Sequence, residues 1–176
     1  MMQSYDDEAI VLRKSISRED VRVILFTKEK GKLSALAKGV RTLLSRRSPH
    51  IQTANYLHVF LHPRHDMWYL EKTELKSGFG GIKENQVKLR ILYAFLFVLD
   101  RILPAEQKEI DIFSGALAFL RQLHTIDTDH AFDLLVETLR LFSQRLGFFI
   151  SPESAKEDII LKVEEIIAEK IPFNTV

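Results

Sequence analysis

Between Lys28 and Arg47 the chain carries seven cationic side chains, Lys28, Lys30, Lys32, Lys38, Arg41, Arg46 and Arg47, against one acid, Glu29. Ammonium and guanidinium groups hold phosphate through charge-assisted hydrogen bonds. A run whose charge is not cancelled suits a polyanion, and a small barrel with one cationic side suits a nucleic-acid backbone. The same residues would also make a solvated surface, so the run alone leaves both readings open. A second group, His58, His62, His65 and Asp66, is built of metal-ligand types. On a strand, His58 and His62 would share a face about 13 Å apart, at roughly 3.3 Å per residue, too far for one zinc ion. Only His62, His65 and Asp66 could converge, across a turn, and a metal-dependent nuclease would have to rest on those three. Trp68 and Tyr69 are neighbours on a strand, so one ring points in and the other out. An outward ring could stack on a base.

Other patterns give no support for catalysis. The chain has no Cys, which excludes disulfides, thiolate zinc sites and a Cys nucleophile. The glycines of "GFGG" (Gly78–Gly81) lack the spacing of a phosphate loop and a following Lys-Ser/Thr pair. There is no Gly-x-Ser-x-Gly, and the carboxylates are scattered. The expectation is a protein that is no enzyme and needs neither cofactor nor metal.

The elements that position these residues change character along the chain. "AIVLRKS" (Ala9–Ser15), "VRVILFT" (Val21–Thr27), "KLSALAKG" (Lys32–Gly39), "NYLHVFLH" (Asn55–His62) and "MWYLEKTEL" (Met67–Leu75) read as five strands. Gly31 supplies the positive φ of a tight hairpin between the second and third. In the third, Leu33, Ala35 and Ala37 share one face. Five strands with the longest connection between the third and fourth suit a closed OB-type barrel, and an SH3-like barrel would also fit. "SGFGGI" (Ser77–Ile82) interrupts the pattern. Beyond it the sequence predicts helices over 84–103, 110–123 and 129–146. A fourth is capped by Ser151, with Pro152 in its first turn and Pro172 at its end. The first is apolar nearly all round from Ile91 to Leu99, as the central helix of a bundle would be. The expected class is α+β: a barrel domain over 1–80 and an all-α domain over 81–176.

Composition agrees with a globular chain: 176 residues, 46% hydrophobic and 28% charged. Its net charge of +1 hides an asymmetry. Residues 1–80 hold 14 Lys and Arg against 9 acids, and residues 81–176 hold 11 against 15. The first half suits a polyanion and the second suits protein partners. The N-terminus is acidic before any apolar run, unlike a signal peptide, and Ile91–Leu99 is shorter than the roughly 20 residues a bilayer requires. A cytoplasmic, non-membrane protein is expected.

The run "EAIVLRK…SREDVRVILFTKEKGKLSALAKGVR…SRRSPHIQTANYLHVFLHPRHDMWYLEKTEL" resembles the N-terminal half of RecO, the bacterial recombination mediator, most specifically from Thr27 to Arg41. "LDRILP" (Leu99–Pro104) and "RLGF" (Arg145–Phe148) are similar to landmarks of that family's helical domain. The resemblance implies an OB-fold followed by helices. It also implies binding to single- and double-stranded DNA, annealing of complementary strands, and work with RecR to load recombinase onto strands coated by single-strand-binding protein. Many members of that family carry a Cys-rich zinc-binding insertion after "LG". Here "RLGFFISPESAKED" runs on without Cys, so the resemblance is to a short variant and implies no zinc. For the C-terminal tail of single-strand-binding protein, the candidate contacts are Arg140 and Arg145 as cations and Phe142, Phe148 or Phe149 as slot walls. Solvated arginines and core phenylalanines are the plainer alternative.

Overall fold

In a computed structural model of the chain, the described residues are 4–17, 20–38 and 49–173. They contain five strands, β1 (Tyr5–Ser17), β2 (Asp20–Thr27), β3 (Gly31–Ala37), β4 (Tyr56–Arg64) and β5 (Met67–Ser77). Helices follow: α1 (Gly80–Lys83), α2 (Gln86–Ile102), α3 (Ile110–Thr125), α4 (Ala131–Arg145) and α5 (Lys156–Ile167). The chain divides into two compact units. The first is the chain up to Gly78 with Leu103–Phe113, and the second is Phe79–Ile102 with the chain from Ser114.

The first unit is a closed barrel in the order β1-β2-β3-β5-β4, with β4 returning to β1. Only β3 and β5 run parallel, and the other pairs are antiparallel. This Greek-key order is that of an OB barrel rather than an SH3-like one. β1 makes closure possible because it serves two neighbours. Its first half pairs with β4 (Tyr5↔Leu61 to Ile10↔Tyr56) and its second with β2, with a register shift between Val11 and Arg13. A bulge of this kind bends and twists a strand enough to turn a barrel corner. Alternation along the strands fills the interior: Val21, Val23 and Leu25 from β2, Leu33, Ala35 and Ala37 from β3, and Leu57, Val59, Leu61 and Leu70 from β4 and β5. Ile51 and Ala54 close the interior from the segment before β4, where Val11 and Ala54–Asn55 exchange backbone hydrogen bonds.

In the second unit α2 buries Ile91, Leu92, Ala94, Phe95, Leu96, Val98 and Leu99, but the stripe Gln86, Arg90, Tyr93 and Arg101 stays exposed, so its apolar run is not buried all round as the sequence suggested. Phe95 stacks on Phe119 of α3 with centroids 3.9 Å apart and meets Phe142 of α4 at 6.0 Å. Asn85 caps α2, its side-chain oxygen accepting the Lys88 N–H at 3.0 Å.

Three boundaries differ from the sequence reading. The glycine-rich stretch includes the short helix α1, entered through Phe79 in the left-handed region (φ 48°) with its side chain buried. α5 starts at Lys156, not near Ser151. Ser151 instead closes a turn, accepting the Ser154 N–H on its carbonyl at 3.2 Å. α5 ends well before Pro172, at Ala168, whose φ of 57° lets the N–H groups of Ala168 and Glu169 return to the carbonyls of Glu165 and Glu164. The loop between α2 and α3 goes with the barrel. The Glu106 N–H donates to the Lys32 carbonyl at 2.8 Å, and Phe113 packs edge-on against Phe26.

Candidate nucleic-acid interface

The parity of the strands decides which side chains leave the barrel. With Leu33, Ala35 and Ala37 inside, Lys32, Ser34, Leu36 and Lys38 face outward. Register then carries a row across four strands: Arg22 of β2 is opposite Leu36 of β3, Leu36 opposite Tyr69 of β5, and Tyr69 opposite His62 of β4. A groove of about 320 Å³ lies on this row, lined by Leu36, Lys38, His62, Arg64, Tyr69, Leu70 and Glu71. The Lys38 ammonium stands 5.2 Å from the centroid of the Tyr69 ring, a cation–π distance. Lys38 and Arg64 fall on opposite sides of Tyr69 along the strands, because β3 is parallel to β5 and β4 antiparallel to it. Each is two residues from the row, about 6.6 Å along the strand. Arg64 sits just before a two-residue turn whose members, His65 and Asp66, both have positive φ, 48° and 58°, the geometry of a primed hairpin turn.

Trp68 and Tyr69 separate as adjacent strand residues must. Trp68 packs against the barrel core, meets Tyr5 edge-on at 5.6 Å, and donates its indole N–H to Glu106 at 3.2 Å. Tyr69 takes the outward position in the groove.

The other cations of the run occupy the far end of β3. Lys28 pairs with Glu8 at 3.1 Å, and Lys30 lies 4.4 Å over the Tyr5 ring. Glu29 pairs with Lys108 at 2.5 Å, and Lys32 is bridged through its backbone to Ala105. Gly31 has φ +73°, as the hairpin demands. A Cβ there would fall on the Gln107 carbonyl, so the covering strand of chain touches the turn's backbone. Two carboxylates are held low near this end. Glu8 lies below its ordinary range chiefly because Tyr56 donates a hydrogen bond to it, with Lys28 adding to the effect. Glu29 is lowered chiefly by the Lys108 hydrogen bond. Arg41, Arg46 and Arg47 lie outside the described residues.

His62, His65 and Asp66 do not come together as a metal centre: among the described residues, no three His, Asp or Glu side chains are placed to hold an ion. His58 instead lies on a different outer row, 3.3 Å from Asp6 and 3.7 Å from Glu74, with its ring against Phe60. Among the described residues no helix is long and apolar enough to cross a membrane.

The sequence-named residues of the helical unit separate too. Phe142 is 5% exposed, packed against Phe95 and beside Gly115, and offers no open face to a visiting aromatic. Its place in the core follows from the same α4 stripe that buries Leu135 and Leu139. Arg140 is engaged by both oxygens of Glu137, one turn earlier, which lowers the Glu137 carboxyl and raises the guanidinium. Arg145 is exposed, Phe148 is 40% exposed and Phe149 is 82% exposed. Arg22 and Arg64 are cations of this outer face that reading for charge runs overlooked. Each is a single cation in its strand, and only parity and register put Arg64 in the groove with Tyr69 and Arg22 at the end of the same row, beyond Leu36.

A closed five-stranded barrel in this order, with an aromatic and cations on its outer face, belongs to the oligonucleotide/oligosaccharide-binding class. Within that class the match is specific. Residues 2–79, the barrel, match the family described as recombination protein O N terminal. A DNA repair protein RecO from Caldanaerobacter subterraneus subsp. tengcongensis is 28% identical over 146 residues, 81% of this chain and 58% of that protein. Another, from Chlorobium limicola, is 29% identical over 145 residues, 80% of this chain and 54% of its own length. One from Heliobacterium modesticaldum is 30% identical over 104 residues, 58% of this chain and 38% of that protein. The chain thus spans between about two fifths and three fifths of the length of these relatives.

Proposed function

We propose that the chain is a DNA-binding repair protein without catalytic activity, working on single strands and duplexes through the outer barrel face at the Lys38 end of β3. The observation that carries this is the row Arg22, Leu36, Tyr69 and His62, flanked by Lys38 and Arg64. Cations placed around an aromatic suit a phosphate backbone with bases to one side. Arg41, Arg46 and Arg47 follow Lys38 in the chain and add to the same charge. Lys28, Lys30 and Lys32 contribute through their field, with neighbouring carboxylates offsetting part of it. The relatives' name, DNA repair protein RecO, supports a repair role. In this reading the protein anneals complementary strands and, with RecR, loads recombinase onto strands coated by single-strand-binding protein. The helical unit is the docking half for that protein's acidic tail, with Arg145 and Phe148 as its contacts.

Annealing of complementary oligonucleotides, bare and coated with single-strand-binding protein, tests the reading. The protein should accelerate both. Arg46→Ala with Arg47→Ala should flatten the dependence of log K on log salt by about 1.4, from roughly 0.7 per single-strand phosphate contact. An unchanged slope together with no annealing would sink the reading. Acceleration on bare strands alone would keep the DNA site and remove the docking role.

A further inference from the structure

Charge alone would let the barrel face hold any polyanion, and the groove contains more than charge. Half-buried Tyr69 lines it, between Leu36 on one neighbouring strand and His62 on the other. Lys38 and Arg64 come from positions on either side of Tyr69 along the strand axis, and the Lys38 ammonium lies over the ring at 5.2 Å, so a base taking the ring face displaces it toward a phosphate. A duplex presents phosphates on its outside and keeps base faces in the stack. A ring flanked by two cations is used fully only by a strand that turns an unstacked base onto it while its phosphates reach the cations. The 320 Å³ groove is of the size that takes one small planar ligand. Glu71 lines its rim, where a carboxylate disfavours a third phosphate.

From this we infer that Tyr69 is a base-stacking residue: the groove takes one unpaired nucleobase on the Tyr69 ring, between phosphates held by Lys38 and Arg64, and thereby prefers single strands to duplex. The inference rests on the nucleic-acid reading above and specifies how that site selects its substrate. Leu36 supplies an apolar edge for the base, and His62 a polar one. Because every base has a π-face, the groove selects for unpaired bases rather than for sequence. Trp68, although larger, cannot share the task, since its ring lies against the core and its N–H is bound to Glu106.

The test uses the whole chain and fluorescence anisotropy with labelled oligothymidylate, an abasic oligonucleotide of the same length, and a duplex of that length, all at one salt concentration. Tyr69→Ala should weaken oligothymidylate binding by roughly fivefold to a hundredfold, the equivalent of 1–3 kcal/mol per stacked base. It should leave the abasic strand and the duplex within about twofold. Tyr69→Phe should keep the wild-type affinity. If Tyr69→Ala fails to fold, the wild-type protein alone still decides, by binding oligothymidylate at least fivefold more tightly than the abasic strand. Equal wild-type affinity for those two strands overturns the stacking inference while leaving the backbone-binding reading standing. An equal loss on all three ligands in a folded Tyr69→Ala overturns it likewise. Binding to none of them overturns both.

Discussion

Lys32 and Lys38 face outward from the same strand, six residues or about 20 Å apart, and their surroundings are opposite. At the Lys32 end the chain from Ala105 to Phe113 lies on the β2–β3 hairpin. A backbone hydrogen bond reaches Lys32, an ion pair joins Glu29 to Lys108, and Phe113 covers Phe26. At the Lys38 end the same outward face carries Tyr69, His62 and Arg64 around a groove. Both ends are basic in sequence. One is covered by chain, and the other lines a groove where cations and Glu71 surround an aromatic. Cation count therefore says that a polyanion is a plausible partner, and the covering of the face decides where it can land.

The largest expected effect is at the covered end. Gly31→Ala adds a Cβ at a positive φ and against the Gln107 carbonyl. It should destabilise the protein by about 3 kcal/mol or more in urea unfolding, because neither the turn nor the opposing backbone can yield cheaply. Lys38→Ala should stay within about 0.5 kcal/mol of wild type. Similar costs at both ends would mean that the ends do not differ as described.

A smaller effect concerns Glu8, the carboxylate that answers Lys28. Its folded pKa lies below the ordinary 4.5, foremost through the Tyr56 hydrogen bond. Its contribution is therefore present above pH 4.5 and lost as pH falls through the lowered value. Tyr56→Phe should cost about 1.5 kcal/mol at pH 7. The gap between variant and wild type should close as unfolding is repeated from pH 4.5 down to 3. A gap that stays constant over that range would show that Glu8 is not the group being stabilised.

Much of this comparison was legible in the sequence, and part of it could not be. β-Branched and aromatic composition in "VRVILFT" and alternation in "KLSALAKG" located β2 and β3 and put Leu33, Ala35 and Ala37 on one face, which the barrel turns inward. Gly31 announced its own turn. What alternation does not carry is register between distant strands. That Arg22, Leu36, Tyr69 and His62 form one row depends on β5 inserting between β3 and β4, a tertiary fact. The cover on the hairpin was hidden for the same reason, since residues 105–109 read as a linker and Phe113 as part of the next helix. Of the two readings the sequence left open for Phe142, slot wall or core, its place on the α4 stripe with Leu135 and Leu139 decides for the core. Ser151-Pro152 carries the signals of a helix start, but it opens a turn, and three more residues pass before α5.

The smallest expected change sharpens the open end. His65 and Asp66 hold positive φ without being glycine, at 48° and 58°. Asp66→Gly relieves one left-handed residue and should stabilise the barrel by about 0.5 kcal/mol. Oligonucleotide affinity should not change, since Arg64 keeps its strand position. A loss of affinity with unchanged stability would give the turn itself a role in binding.

The central claim is that nucleic acid lies on the Lys38 end of the barrel face, and the salt dependence of oligothymidylate binding tests it most directly in two triple variants. Removing Arg22, Lys38 and Arg64 together as alanines should flatten the log K against log salt slope by about 2, from roughly 0.7 per lost contact. Removing Lys28, Lys30 and Lys32 together should flatten it by less than about 1. The reverse order, with the hairpin triple flattening the slope and the groove triple leaving it unchanged, would contradict the account.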